Sequence, residues 1–290
     1  MLPRLAQLIT SDDKELQQDA LWALSYLSDG DEDRLYAFLE VSALPRIVQL
    51  LSSPHMEVVT PALRTIGNIV TGDDLLTQAV INEGALHGVR ALMTNYRRTV
   101  RKEACWMVSN VCAGTPGQIQ AVFDCNLFPA LIHQLTNGEA DVQREACWAL
   151  SNATTGGTAQ QIYDLVRLGV VAPLRDVLRS TVQDPRVQTV ALEGLANILT
   201  RPVPPGHAES GDGSYYFGVM EQAQVPDQVL ELTNSPNESL RNTAEAFMTK
   251  WFPNFQDYGE VGDEGDGSDA ADAWTAGAGT GGWNTGNWNS

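Results

Sequence analysis

The chain has 290 residues, 43% of them hydrophobic, and carries 36 Asp and Glu against 18 Lys and Arg, a net charge of −18. That length supports a large core; no apolar run reaches the roughly 18–20 residues of a membrane span, and the opening MLPRLAQLITSDDKELQQDA lacks the basic-then-apolar pattern of a signal peptide. Such an acidic surface is repelled by nucleic acid and by anionic membranes, and it attracts basic partners.

From the N-terminus, LPRLAQLI (2–9) places apolar residues at helical spacing, with a Pro near its start where a helix tolerates it. DALWALSYLSDG follows, with Trp22 and, four residues on, Tyr26. Both patterns return 42 residues later as LPRIVQLL (44–51) and TPALRTIGNIVTGDD, with Arg64 and Asn68 in the corresponding places. They return again as LHGVRALM (86–93) with KEACWMVSN, giving Trp106 and Asn110, and as FPALIHQL (128–135) with REACWALSN, giving Trp148 and Asn152. VAPLRDVL (171–178) continues the first pattern, and VALEGLANIL continues the second 45 residues after the last copy, with Glu193 and Asn197. A shorter helical segment precedes each pair, as in LLTQAVINEG (75–84) and QIQAVFDCN (118–126), and Gly84 and Gly169 suit helix ends.

Each unit is therefore three helices in about 42 residues, a period that marks a repeat architecture. No strand alternation is visible, and the expected fold is an all-α, right-handed superhelical solenoid. The array is expected over residues 1–252, about six units, the first opening in its second helix. The last, with VPDQVLEL (225–232) and NTAEAFMTKWF (242–252), has neither the Trp nor the Asn, as suits a terminal cap. RPVPPGHAESGDGS (201–214) reads as a surface loop. Residues 253–290, with seven acidic residues and no Lys or Arg, read as a disordered tail. Cys105 and Cys147 hold the same place in two units and read as buried packing residues. With Cys112 and Cys125 they match no zinc spacing, so a reducing compartment and no metal or cofactor are expected.

The Trp and Asn positions are four residues apart and share a helix face. With equivalent helices stacked at about 8–10 Å, they form two parallel rows on a concave surface. An extended chain rising about 3.3 Å per residue meets a new Asn every two to three residues there. An Asn amide can pair with a peptide N–H and C=O without reading side chains. Neighbouring indoles make slots for a long aliphatic stem, and Glu103 and Glu145, three residues before their Trp, stand at the slot ends. Indole faces with a carboxylate describe a site for Lys or Arg. The alternative is an internal ladder, in which the repeats themselves satisfy the asparagines.

The stretches ALWALSYLSDG, TPALRTIGNIVTGDD, KEACWMVSN and REACWALSN resemble the armadillo (ARM) repeats of the importin alpha family, adaptors that bind nuclear localisation signals. The resemblance covers nearly all of residues 1–255. It implies a concave groove with two sites for basic peptides, the larger towards the N-terminus. Asn68, Glu103, Trp106, Asn110, Glu145, Trp148 and Asn152 fall on the smaller site, with Val70, Thr71 and Asp74 beside it. Arg64 interrupts the Trp row as in the family and separates the sites by repelling basic cargo, while Trp22 and Tyr26 mark the repeat just beyond the larger one. Asn197 continues the Asn row. The family's basic N-terminal segment and first repeats are not seen, so the chain looks like the C-terminal part of such an adaptor and is not expected to bind importin beta. The resemblance also implies contact of residues 240–272 with an export receptor, and shuttling between cytoplasm and nucleus.

His55, His87, His133 and His207 are scattered without a partnered nucleophile, and no phosphate-cradling loop or paired carboxylates appear, so no enzyme is expected. A generic armadillo scaffold without a transport role is the alternative binding function; it is separated by the sign of the ligand, basic against acidic.

Overall fold

The computed structural model describes residues 1–180, 184–207 and 214–255. Among these, every regular element is an α-helix, seventeen in all. The chain forms two compact units, Met1–Thr158 and a second beginning at Ala159.

In the first unit the long helices are α2 (Lys14–Leu27), α5 (Met56–Ile69), α8 (Arg98–Cys112) and α11 (Ala140–Gly156), and each packs against the next. The helices before them, α1 (Leu2–Leu8), α4 (Leu44–Leu50), α7 (Ala85–Leu92) and α10 (Phe128–Asn137), are the LPRLAQLI-type segments, and each lies against its long helix. The short leading helices are α3 (Glu32–Glu40), α6 (Asp74–Asn82) and α9 (Pro116–Asp124). The second unit repeats the plan with α12 (Ala159–Arg167), α13 (Val171–Arg179) and α14 (Pro185–Leu199), then α15 (Tyr215–Gln222), α16 (Val225–Leu232) and α17 (Glu238–Trp251). There α14 packs on α13 and α17, and α16 on α17.

Local chemistry explains the boundaries. Prolines open α1, α4, α10 and α16, where the missing N–H is one the helix leaves unused. Asp13, Asp31 and Asp73 cap α2, α3 and α6 by accepting backbone N–H bonds, and Thr115 with Gln118 forms a capping box on α9. Gly84 and Gly169 adopt φ of 80° and 86°, the left-handed turn expected at a helix end. The 201–214 insert is irregular where it is described, up to His207; residues 208–213, and all but the start of the expected tail (256–290), lie outside the described residues.

Each long helix brings Leu, Ile, Val, Ala or Cys inward: Leu21, Leu24, Leu63, Ile66, Val100, Cys105, Val142 and Cys147 are all essentially inaccessible. The turns before the long helices, buried or half-buried, leave carbonyls that need donors, and one long-helix position supplies them in four units. Gln17 donates to Ile9 O at 2.9 Å, Arg101 to Asn95 O at 2.6 Å, Gln188 to Leu178 O at 2.8 Å and Arg241 to Ser235 O at 3.0 Å.

Close approach of α5 and α8 depends on Gly67. A Cβ there would lie 2.9 Å from Trp106 Cε3 and closer still to Cζ3, so the rigid indole rests on bare backbone. Ala at a helix interior normally gains about 1 kcal/mol over Gly. Here overpacking costs about 1–3 kcal/mol, so Gly67→Ala is expected to lower Tm. In a Trp106→Ala background the same change is expected to raise it, and a thermal double-mutant cycle measures the reversal.

Candidate functional site

The first unit brings the expected residues onto neighbouring long helices: Trp22 and Tyr26 on α2, Arg64 and Asn68 on α5, Glu103, Trp106 and Asn110 on α8, and Glu145, Trp148 and Asn152 on α11. Asn197 lies on α14 of the second unit. On α2 the Trp22 and Tyr26 rings stand 6.2 Å apart, and Tyr26 is 73% exposed. Trp22, Trp106 and Trp148 are half-buried, each with one part in the core and one part open to a ligand.

The three residues expected beside the smaller site divide. Val70 is only 2% exposed, so its side chain belongs to the core and offers no surface to a peptide. Thr71 is exposed, but its hydroxyl donates to Asn68 O at 2.6 Å. Asp74 opens α6 with an exposed carboxylate, while its backbone carbonyl accepts from Gln118 Nε2 at 2.8 Å.

Arg64, expected to repel a cation, makes two contacts of its own. Its guanidinium carbon sits 5.5 Å from the Trp106 ring centroid, and a guanidinium nitrogen is 3.3 Å from Glu103 Oε2. That oxygen is buried without an aligned hydrogen-bond donor, so the contact is an ion pair without hydrogen-bond geometry. Burial pushes the Glu103 carboxyl up, and Arg64 and Lys102 oppose the shift. The chain's own arginine therefore makes the cation–π and carboxylate contacts expected of a ligand arginine. With Arg64 41% exposed, the pair contributes only about 0–1 kcal/mol.

Glu145 has no ion pair among the described residues. Burial pushes its carboxyl up to about 7, with Glu103 and Asp141 adding to the shift and Lys102 and Arg144 opposing it. Glu145 is thus a half-buried acidic group on the helix of Trp148, with Lys102 and Arg144 acting on it from outside ion-pair distance.

The asparagines are engaged unequally. Asn68 Nδ2 donates to Ser25 O at 3.0 Å and to Ser28 Oγ at 2.9 Å. Asn152 Nδ2 donates to Ser109 O at 3.0 Å. Asn110 Nδ2 is buried with no partner among the described residues. The internal ladder is thus formed at two of these three positions. Ser25, Gly67 and Ser109, its partners and their equivalent, were not singled out in the sequence. The available signal was a small residue just before each Tyr26, Asn68 and Asn110 position.

Burial raises the Cys105, Cys112 and Cys147 thiols, Cys147 to about 12. His133 is exposed and contacts Asn137.

The Armadillo/beta-catenin-like repeat is matched at residues 1–29, 35–71, 115–155 and 158–200, just over half of the chain. Importin subunit alpha-2 of Arabidopsis thaliana is 43% identical over 108 residues, covering 36% of this chain and 19% of that protein. Importin subunit alpha-1a of Oryza sativa subsp. japonica is 59% identical over 39 residues, covering 13% of this chain and 7% of that protein. The matched stretches thus span a fifth or less of the length of these curated relatives. Among solved structures, a designed armadillo repeat protein in complex with the peptide (KR)4 superposes with a TM-score of 0.77 at 27% identity, over 86% of this chain and 98% of that one. Computationally designed armadillo repeat proteins for modular peptide recognition give 0.79 at 26% identity, over 86% and 99%.

The raised Glu145 carboxyl makes stability depend on pH. Its proton is held more tightly in the folded chain than in the unfolded one. Its contribution is therefore full below the ordinary carboxylate range and is lost as pH rises through about 7. Urea denaturation is expected to show a larger fall in midpoint between about pH 5 and about pH 8 for wild type than for Glu145→Gln.

Proposed function

The chain belongs to the Armadillo/beta-catenin-like repeat family, and from that premise we propose that its first unit binds Lys- and Arg-rich peptides of the nuclear localisation signal type in extended form. The observation that carries this reading is the pairing of Trp106 and Trp148 on adjacent helices with Glu145, an acidic group that makes no ion pair among the described residues. An aliphatic stem lies between the indole faces, its charge pairs with Glu145, and the asparagine row meets the peptide main chain. The likeness to a designed armadillo repeat protein holding the peptide (KR)4 and the partial matches to importin alpha subunits support it. On this reading the chain is part of a nuclear import adaptor that shuttles between cytoplasm and nucleus.

A second reading, a general armadillo interaction surface without a transport role, is favoured by Arg64 and by the internal bonds of Asn68 and Asn152. Those contacts use part of the array within the protein itself.

Titration of a fluorescent peptide separates the two. A Lys/Arg-rich peptide is expected to bind and an acidic one not to, with affinity falling as salt rises. Trp148→Ala removes one slot wall and is expected to weaken binding by about 5- to 30-fold, the equivalent of about 1–2 kcal/mol. Trp22→Ala is expected to change it by less than about twofold, because its neighbour in the row is Arg64. Equal losses for the two variants would move the site off α8 and α11, and tighter binding of the acidic peptide would support the second reading.

A further inference from the structure

We infer that the side of α1 and α2 turned away from α4 and α5 is an interface for a second copy of this chain. The inference is independent of the basic-peptide reading, whose slot lies between α8 and α11.

Comparison of the repeats shows what this side lacks. Val58, Val100 and Val142 hold the third position of α5, α8 and α11, and each is at most 1% exposed. The third position of α2 is Leu16, which is 39% exposed. The preceding helices differ in the same way. α4 buries Leu44, Ile47 and Leu50, whereas α1, with Leu2, Leu5 and Leu8 in the corresponding places, has no buried residue. Tyr26, further along α2, is 73% exposed. The local sequences, LPRLAQL and LPRIVQL, are too alike to explain the difference. The neighbours explain it: α5 lies between two long helices, α2 and α8, while among the described residues α2 has a long helix on one side, α5. The exposed leucines form an apolar patch of the kind that marks an interaction surface.

The matching side of α5, α8 and α11 is covered by the long helix before it, so the uncovered face fits a helical surface of the same build. A second copy has two ends to offer. Ser25, Gly67 and Ser109 touch the long helix that follows them. Four residues earlier, on the same helix face, Leu21, Leu63 and Cys105 are buried. On α17 that position is Glu245, which follows Arg241 as Cys105 follows Arg101, and it is exposed, as are Asn242 and Thr249. A head-to-tail contact would cover these polar groups with leucines and take them out of water. The leucine face instead meets its own copy in an isologous contact about a two-fold axis, where apolar surface covers apolar surface. The patch is small. α2 is about 21 Å long and α1 lies beside it at about 8–10 Å, which gives less than the roughly 800 Å² per partner of a standard interface. Self-association is therefore weak. The net charge of −18 opposes it, so salt, which screens that repulsion, strengthens it.

The test is sedimentation equilibrium of the whole chain from about 1 µM to about 1 mM, the range of weak association, at low and at high salt. Wild type is expected to pass from monomer to dimer as concentration rises, and at lower concentration when salt is added. Leu16→Lys places a charge on the face while lowering the net negative charge, so a loss of dimer cannot come from added repulsion. It is expected to raise the dimer Kd by about tenfold or more. Leu75→Lys makes the same change on α6, at a leucine 69% exposed and outside the face, and is expected to leave Kd within about twofold. Circular dichroism checks that each variant is folded; if Leu16→Lys is not, Tyr26→Lys, at a more exposed position of the same helix, takes its place. The inference is overturned if Leu16→Lys, or its replacement, dimerises as wild type does, or if Leu75→Lys weakens the dimer equally. A mass that keeps rising beyond the dimer means head-to-tail stacking and also overturns it. A chain monomeric throughout leaves the face to a different protein, and the second-copy inference falls.

Discussion

The distance between neighbouring long helices is the constraint on which the rest of this protein depends. It is set where one helix touches the backbone of the next: Asn68 and Asn152 reach the carbonyls of Ser25 and Ser109, and Trp106 lies on Gly67. Small residues at these points let the helices come within side-chain reach, and the hydrogen bonds fix the register once they have done so. A ligand laid across the stack would meet successive helices at the same interval. The contacts that build the solenoid would therefore also set the spacing at which the proposed extended peptide is read, about two to three residues per unit.

Charge is divided in a related way. The chain has half as many basic residues as acidic ones, and several arginines serve the fold. Arg46, Arg101, Arg175 and Arg241 donate to backbone carbonyls, and Arg64 covers Trp106 while pairing with Glu103. Arginines aimed at backbone carbonyls are not placed to ion-pair, and Glu145 makes no ion pair among the described residues. A carboxylate that is half-buried and unpaired carries a desolvation cost. A cation arriving from outside offsets part of that cost and releases the proton the group holds near neutrality. On the proposed basic-peptide reading, ligand affinity and sensitivity to pH would share one physical origin.

The same reasoning explains why the indoles differ although the motif repeats. Trp106 has a glycine beneath it and an arginine against it, whereas the corresponding place under Trp148 holds Ser109. Identical local sequence, EACW in both copies, therefore meets different surroundings. A repeat protein acquires local specificity through substitutions in the neighbouring unit rather than in the motif itself. Gly67 is an example, and it lies outside the quoted motifs of α8 and α11.

The helices, their order and their period were legible in the sequence because they depend on local forces: apolar spacing, prolines at helix starts and glycines at helix ends. The shared face of Trp and Asn was legible for the same reason, since a separation of four residues fixes direction on a helix. The division of the described chain at residue 158 was not, nor was the placement of Val70 in the core, nor the capture of Trp106 by Arg64. Each depends on contacts between residues some forty positions apart, and periodicity shows that such residues are equivalent without showing whether they touch. The composition and the repeat determined an all-α array with a row of indoles and amides. Only the tertiary structure decided which amides are spent inside the protein, because a hydrogen bond needs both an acceptor and the distance to reach it, and both are supplied by the neighbouring helix.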